Sequence, residues 1–244
     1  MVTTGEQMKL RLALLLLFLL TASTAAATEP SYLYKTTLVQ AAPGRILEVI
    51  DLYKAAIAET KDEPPLWMRH SQGDHWDLLL LFPIKSYDEY YSVERIAKRK
   101  SQQAAWSKVE ALVAWREDVF VYGPPPESLR AALASSSFFH VEMFHALAGK
   151  QAELIKEREM ENAYLKVLKR PENFIFVRDQ GAAWDVFTIG AYRDLRHFAE
   201  SAGISEVDQD LAAKAAGFPA ANRIGPYLRT LIASHHDTLA VTVK

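Results

Sequence analysis

The 244-residue chain contains no cysteine. That excludes a disulfide framework, a thiolate metal site, a cysteine nucleophile and a lipoprotein anchor, so stability has to come from core burial. An excess of charge of one sign is also missing: 28 Lys and Arg stand against 30 Asp and Glu, with a pI near 6.4. Nothing in that balance favours nucleic acid as a partner. The basic cluster Lys98-Arg99-Lys100 reads as a solvated helix face. No H-E-x-x-H, glycine-rich phosphate loop or G-x-S-x-G occurs, so the common motif-defined hydrolases and nucleotide enzymes find no support.

Long apolar runs are scarce too, and the one at the start is short. Met8-Lys9-Leu10-Arg11 forms a positive n-region, Leu12 to Leu20 is unbroken apolar sequence, and Ala25 and Ala27 form an A-x-A cleavage site. Residues 1–27 therefore read as a signal peptide, and the remainder as a secreted or periplasmic protein. The run is shorter than the roughly 20 residues of a spanning helix, so no stable membrane span is expected after cleavage.

What is present is a repeat. Gln72-Gly73-Asp74-His75-Trp76-Asp77 and its apolar run Leu78 to Phe82 return as Gln180-Gly181-Ala182-Ala183-Trp184-Asp185 and Val186 to Ile189, 108 positions later. Leu112 to Asp118 returns as Leu231 to Asp237, 119 positions later, which places an 11-residue insertion in the second copy, between Ala202 and Pro226. Within a copy the periodicities predict strand, helix, strand, strand, helical region, strand: Tyr32 to Val39, Pro43 to Lys61, Leu66 to His70, Trp76 to Phe82, Ser86 to Trp115 and Val119 to Tyr122. The second copy runs Phe138 to Phe144, Lys150 to Leu168, Asn173 to Arg178, Trp184 to Ile189, a helical region, and Thr238 to Val243. This divides the chain into residues 28–123 and 138–244, two ferredoxin-like units, with 124–137 as linker.

A βαββαβ unit is an antiparallel sheet with both helices on one face, which leaves the other face bare. Two such sheets facing each other bury it. From Tyr32 to Lys244 the element order and the repetition resemble the dimeric α/β-barrel superfamily, with no diagnostic catalytic motif. The resemblance implies an α+β fold in which the two sheets make one barrel. It also implies activities that include cofactor-independent monooxygenases, lactone isomerases and haem-dependent enzymes. His140, His145 and His197 would be the candidates for a haem ligand, but none matches a family motif, so that role is not carried over.

Strand alternation divides each strand into two sets of side chains. Placing Phe139, Val141 and Met143 under the helices turns His140, Glu142 and Phe144 inward, and by register Tyr32, Tyr34 and Thr36 with them. The same reasoning places Phe187 and Ile189 under helices, with Trp184, Val186 and Thr188 inside, matched by Trp76, Leu78 and Leu80. Phe174, Phe176 and Arg178 are expected inside, matching Leu66, Met68 and His70. A small hydrophobic or aromatic ligand is then expected to meet Tyr32, Tyr34, Met68, Trp76, Phe176 and Trp184. The catalytic candidates are His70, His140, Glu142 and Arg178. The competing account makes the tryptophans core anchors and the polar groups the lining of a wet interface. Asp77 and Asp185 are expected to cap the glycine turns. His235-His236 invites a metal, yet neighbours on a strand point to opposite faces, so no metal site is assigned.

Three functions follow as alternatives: an exported small-molecule-binding barrel, an enzyme of the dimeric α/β-barrel type, or a non-catalytic interaction module. A homo-oligomer is compatible with each.

Overall fold

The computed structural model describes residues 32–61 and 63–243. The signal-peptide assignment, residues 1–27, lies outside them. The first repeat consists of β1 (Tyr32–Ala41), α1 (Ile46–Thr60), β2 (Leu66–Gln72), β3 (Leu78–Lys85), the short α2 (Tyr87–Tyr90), α3 (Val93–Glu110) and β4 (Val113–Gly123). Next comes α4 (Pro126–Ala134). The second repeat follows with β5 (Phe138–Ala146), α5 (Gln151–Val167), β6 (Phe174–Gln180), β7 (Val186–Tyr192), α6 (Leu195–Ala199), α7 (Glu206–Ala215), α8 (Ile224–Arg229) and β8 (Ile232–Thr242). No helix among the described residues is long and apolar enough to cross a membrane.

Each element has a local cause. In α1, Val49, Ile50, Tyr53 and Ala56 recur at helical spacing and are buried, and the helix ends where Lys61 turns left-handed at φ 52°. Ser92 starts α3 by accepting the Arg95 N–H at 3.2 Å. Helix α6 stands where α2 does, and where the first repeat has the single 18-residue α3 the second has the shorter α7 and α8. Helix α7 stops before Gly217, at φ +94°. Trp115 belongs to β4 rather than to the preceding helix, because 113–121 alternates between more and less exposed positions.

All strand pairs are antiparallel, and the eight strands close into a barrel in the order β1-β3-β2-β8-β5-β7-β6-β4. Two ferredoxin-like sheets, β4-β1-β3-β2 and β8-β5-β7-β6, thus close on each other within one chain. The seams are the short ladders β2·β8, from Met68↔Thr242 to Gln72↔Leu239, and β4·β6, from Phe120↔Gln180 to Tyr122↔Val177.

The repeated motif builds these joints. Gly73 (φ +126°) lies so close to β8 that a Cβ would stand 2.2 Å from the Asp237 carbonyl oxygen, and Gly181 (φ +117°) approaches the Asp118 carbonyl of β4 to 2.8 Å in the same way. Asp77 and Asp185 serve their own repeats, and not by capping the glycine turns as expected. Each gives its N–H to the first strand, at Val39 or Phe144, and its carbonyl receives the N–H of His70 or Arg178. Each carboxylate accepts the N–H that ends that strand: Ala41 at 2.8 Å for Asp77, and Ala146 at 2.9 Å for Asp185. Replacing Asp77 by Ala strands a part-buried N–H and is expected to cost about 1–3 kcal/mol in urea unfolding. An unchanged midpoint would remove this role.

Those contacts also fix the true alignment of the repeats, and they correct the face assignments. The first strands and helices match at an offset of 105, as Val39 with Phe144 and Ala41 with Ala146 show, while the third strands match at 108. Every side chain on β5 lies on the face opposite to the expected one, and because three residues is an odd slip the same register carried the correct faces to β1, where Tyr34 packs inside with Tyr32 against it. Phe139, Val141 and Met143 pack inside the barrel, whereas Phe144 packs beneath helices with Leu154 and Leu228. His140 and Glu142 are on that outer face too. The third strands are likewise reversed. Phe187 and Ile189 are inside with Leu79 and Leu81, while Leu78, Leu80 and Val186 pack under helices and Thr188 bonds the outer-face Glu142. Trp76 and Trp184 precede their strands and, after a bend at the aspartate, do not share the strand phase.

Candidate functional site

The six residues expected to meet a ligand do lie together, but as packed core. Tyr34, Met68, Trp76 and Phe176 are at most 1% exposed and Trp184 is 9% exposed, with Tyr32 packed against them. Phe176 stacks on Phe187 at 4.4 Å, and the Tyr34 hydroxyl donates to the Pro124 carbonyl at 2.5 Å. Leu129 of α4 adds to the same interior cluster, so the segment between the repeats contributes core. Thr36 Oγ1, His70 Nε2 and Trp76 Nε1 are buried there without a partner among the described residues. His70 meets the edge of Trp76 at 5.8 Å, and Arg178 is bound to Asp185 at 2.5 Å. These two catalytic candidates are therefore far from His140 and Glu142 in role: they brace the tryptophan and aspartate of the repeated motif.

A cavity of ligand size lies instead on the outer face of the sheets. In the first repeat a cavity of about 510 Å³ separates β1, β3 and β4 from α1, α2 and α3. Tyr53, Ile57, Phe82, Tyr90 and Trp106 give it aromatic and apolar walls, and Lys35, Arg99 and Arg116 bring cations to it. Burial lowers the Lys35 ammonium pKa from its ordinary value even though Asp118 stands 3.4 Å away. Asp118 itself is held low: burial opposes its charge, but Lys35, the Thr37 hydroxyl at 2.6 Å and Arg116 at 2.9 Å prevail. Burial pushes the Tyr53 hydroxyl up to about 12. The Arg99 guanidinium lies 4.1 Å over the Tyr90 ring. Sequence reasoning missed this cleft because it sought function on the other sheet face; the available signal was the Tyr53 and Trp106 pair on helices that otherwise bury aliphatic residues.

In the second repeat the equivalent space is taken by charge. His140, Glu142, His235 and Asp237 share the outer face of β5 and β8, because Glu142 pairs with Asp237 and Phe144 with His235. His140 Nε2 is 3.4 Å from Asp237 Oδ1, and His235 Nε2 is 3.2 Å from Asp237 Oδ2. From α5, Arg158 reaches Glu157 at 2.6 Å, Glu161 at 2.5 Å and Glu142 at 3.8 Å, and its guanidinium lies 4.8 Å over Phe144. Burial, reinforced by Glu161, raises the Glu142 pKa; burial also pushes Glu157 up to about 7. Burial works against the His140 imidazolium, but the bond to Asp237 and the Glu142 charge leave its pKa raised. His236 points the other way, 3.9 Å from Asp74, as alternation on a strand requires.

Solved structures share this architecture. An anthrone oxidase-like protein superposes with a TM-score of 0.56 at 10% identity, over 88% of this chain and 92% of its own. The fold is that of the dimeric α/β barrel. A candidate chlorite dismutase matches with a TM-score of 0.52 at 10% identity, over 88% of this chain and 96% of the other. A candidate monooxygenase from Lactobacillus acidophilus NCFM matches with a TM-score of 0.50 at 10% identity, over 86% and 93%. No protein-family model and no curated protein matches the chain. Identities this low carry the barrel and not the chemistry.

None of the three histidines the resemblance brought forward opens onto the first-repeat cleft. His140 faces carboxylates, His145 is exposed, and His197 accepts the Arg193 N–H through Nδ1 at 3.2 Å with Glu200 at 4.0 Å on its other nitrogen. His197 lines a separate cavity of about 380 Å³ together with Phe174, Ala191 and Arg193.

Proposed function

We propose that this barrel is an exported small-molecule-binding protein, and that the first-repeat cleft takes an anion carried on an apolar or aromatic body. The cleft's combination of size, aromatic walls and excess of cations carries the reading: about 510 Å³ falls within the range of small-molecule sites, and six Lys and Arg side chains line it against three Glu, with Asp118 beside the half-buried Lys35. A buried ammonium gains from an incoming carboxylate or sulfonate because charge-assisted bonds strengthen out of water.

The test uses anilinonaphthalene sulfonate and its neutral analogue lacking the sulfonate, followed by fluorescence titration. The anion is expected to bind at least ~10-fold tighter than the neutral compound, with Lys35→Met erasing that preference and Trp106→Ala weakening both. Affinity for the anion falls as pH rises through the lowered Lys35 pKa, since the ammonium supplies the attraction. Equal binding of both compounds, or binding indifferent to Trp106→Ala, would refute the assignment.

The enzyme reading has one specific observation in its favour. Lys35 combines burial, a lowered pKa and a place on the cavity wall, as a general base in such a cleft requires.

A further inference from the structure

The two repeats place opposite solutions at the same point of the fold. With β1 and β5 matched at an offset of 105 and β4 and β8 at 119, Lys35 corresponds to His140, Thr37 to Glu142, Arg116 to His235 and Asp118 to Asp237. In the first repeat the aspartate is neutralised from within: the Lys35 ammonium and the Arg116 guanidinium both sit on it. In the second repeat both of those cations have become imidazoles and the threonine has become a carboxylate. The fixed positive charges carried by the strands are gone and a negative one has been added.

We propose that an exogenous divalent transition-metal ion occupies the place of the Lys35 ammonium in the second repeat, held by His140, Glu142 and Asp237. The ligand-capable atoms of these three residues lie within 4.8 Å of one another, so small side-chain movements close them on one ion. The mixture of one imidazole nitrogen with two carboxylates suits zinc or manganese; magnesium and calcium favour all-oxygen sites. Asp237, with half its side chain exposed, leaves the site open to solvent for entry.

The surroundings support the same conclusion. The carboxylates of Glu142, Glu157 and Glu161 gather around Arg158, while Asp237 meets the imidazoles of His140 and His235. Arg158 is already divided among three of the carboxylates, and Glu157 Oε1 is buried without a partner among the described residues. Arg229 is spent on His235, whose Nδ1 lies 3.1 Å from its Nη1. A guanidinium only donates, so that His235 nitrogen accepts, and the proton of the neutral ring sits on Nε2, directed at Asp237 Oδ2. His235 is accordingly a positioning residue that orients Asp237, while the other Asp237 oxygen faces His140.

Calorimetric titration of the chelator-stripped full chain with Zn²⁺, and separately with Mn²⁺, tests this. One equivalent of at least one ion is expected to bind, with Mg²⁺ binding at least tenfold more weakly. His140→Ala and, independently, Glu142→Gln should each lower affinity at least tenfold with the circular dichroism spectrum retained, while His236→Ala leaves it unchanged. His235→Ala should weaken binding less than either ligand variant. The proposal is overturned if neither ion binds at one equivalent, or if binding survives both ligand variants. Should one ligand variant fail to fold, the other decides. Since the cleft of the first repeat takes no part, the two proposals stand or fall separately.

Discussion

Replacing Gly73 by Ala is expected to cost about 3–5 kcal/mol and to open the barrel at one seam. Two penalties add. A φ of +126° is strained for any L side chain, at about 1–3 kcal/mol, and the new Cβ would stand 2.2 Å from the Asp237 carbonyl oxygen and 2.7 Å from Thr238 Cα. Both obstacles are backbone of a strand locked on its other edge to β5, so they cannot swing aside. Gly181→Ala meets the Asp118 carbonyl at 2.8 Å on the opposite seam and is expected to cost less, about 2–4 kcal/mol. Gly44 provides the control: its φ is also positive, +78°, but a Cβ there meets nothing within 4 Å, so only the conformational strain of about 1 kcal/mol remains. Urea unfolding of the three variants decides the matter, and equal midpoints for Gly73→Ala and Gly44→Ala would show that the seam does not depend on this approach.

Arg158→Met is expected to destabilise the protein by about 3–5 kcal/mol at neutral pH, because it leaves three carboxylates of the second repeat without their shared cation. The associated pH dependence has the sign opposite to a surface ion pair. Burial raises the folded-state pKa of Glu157 from 4.5 to about 7. Between those values the folded protein holds a proton that the unfolded chain releases, so stability declines as pH rises through that window and is greatest at its acidic end. The decline attributable to this group is about 2–3 kcal/mol. Glu157→Gln, which keeps the shape and removes the charge, should flatten the profile between pH 5 and pH 8. Parallel profiles for the variant and the parent protein would assign the dependence elsewhere.

The element order was legible in the sequence because each strand and helix carries its own period, and because the repeat supplied two copies of every boundary. The positions where the reading failed share one cause. The strands of this barrel are buried on both faces, so alternation separates Phe139, Val141 and Met143 from His140, Glu142 and Phe144 without saying which set looks inward. The β5 error carried to β1 at an offset of 108, where those strands match at 105, was cancelled by the odd difference, so Tyr34 lies inside as expected. For β2 and β6 the phase was read correctly, and Leu66, Met68 and Phe176 are where they were expected.

The sequence by itself determined that the chain is two βαββαβ units, each with a bare sheet face to bury, and that Gln-Gly-x-x-Trp-Asp marks the turn into the third strand of each. Both follow from local propensity and repetition. Which face of each sheet would be dry, that the glycine turns would lock onto the partner repeat's last strand, and that Lys35 and His140 would come to occupy equivalent points were decided only in three dimensions. The glycine turns join residues 164 positions apart at Gly73 and 63 apart at Gly181 through backbone contacts, and backbone contacts leave no mark in side-chain pattern.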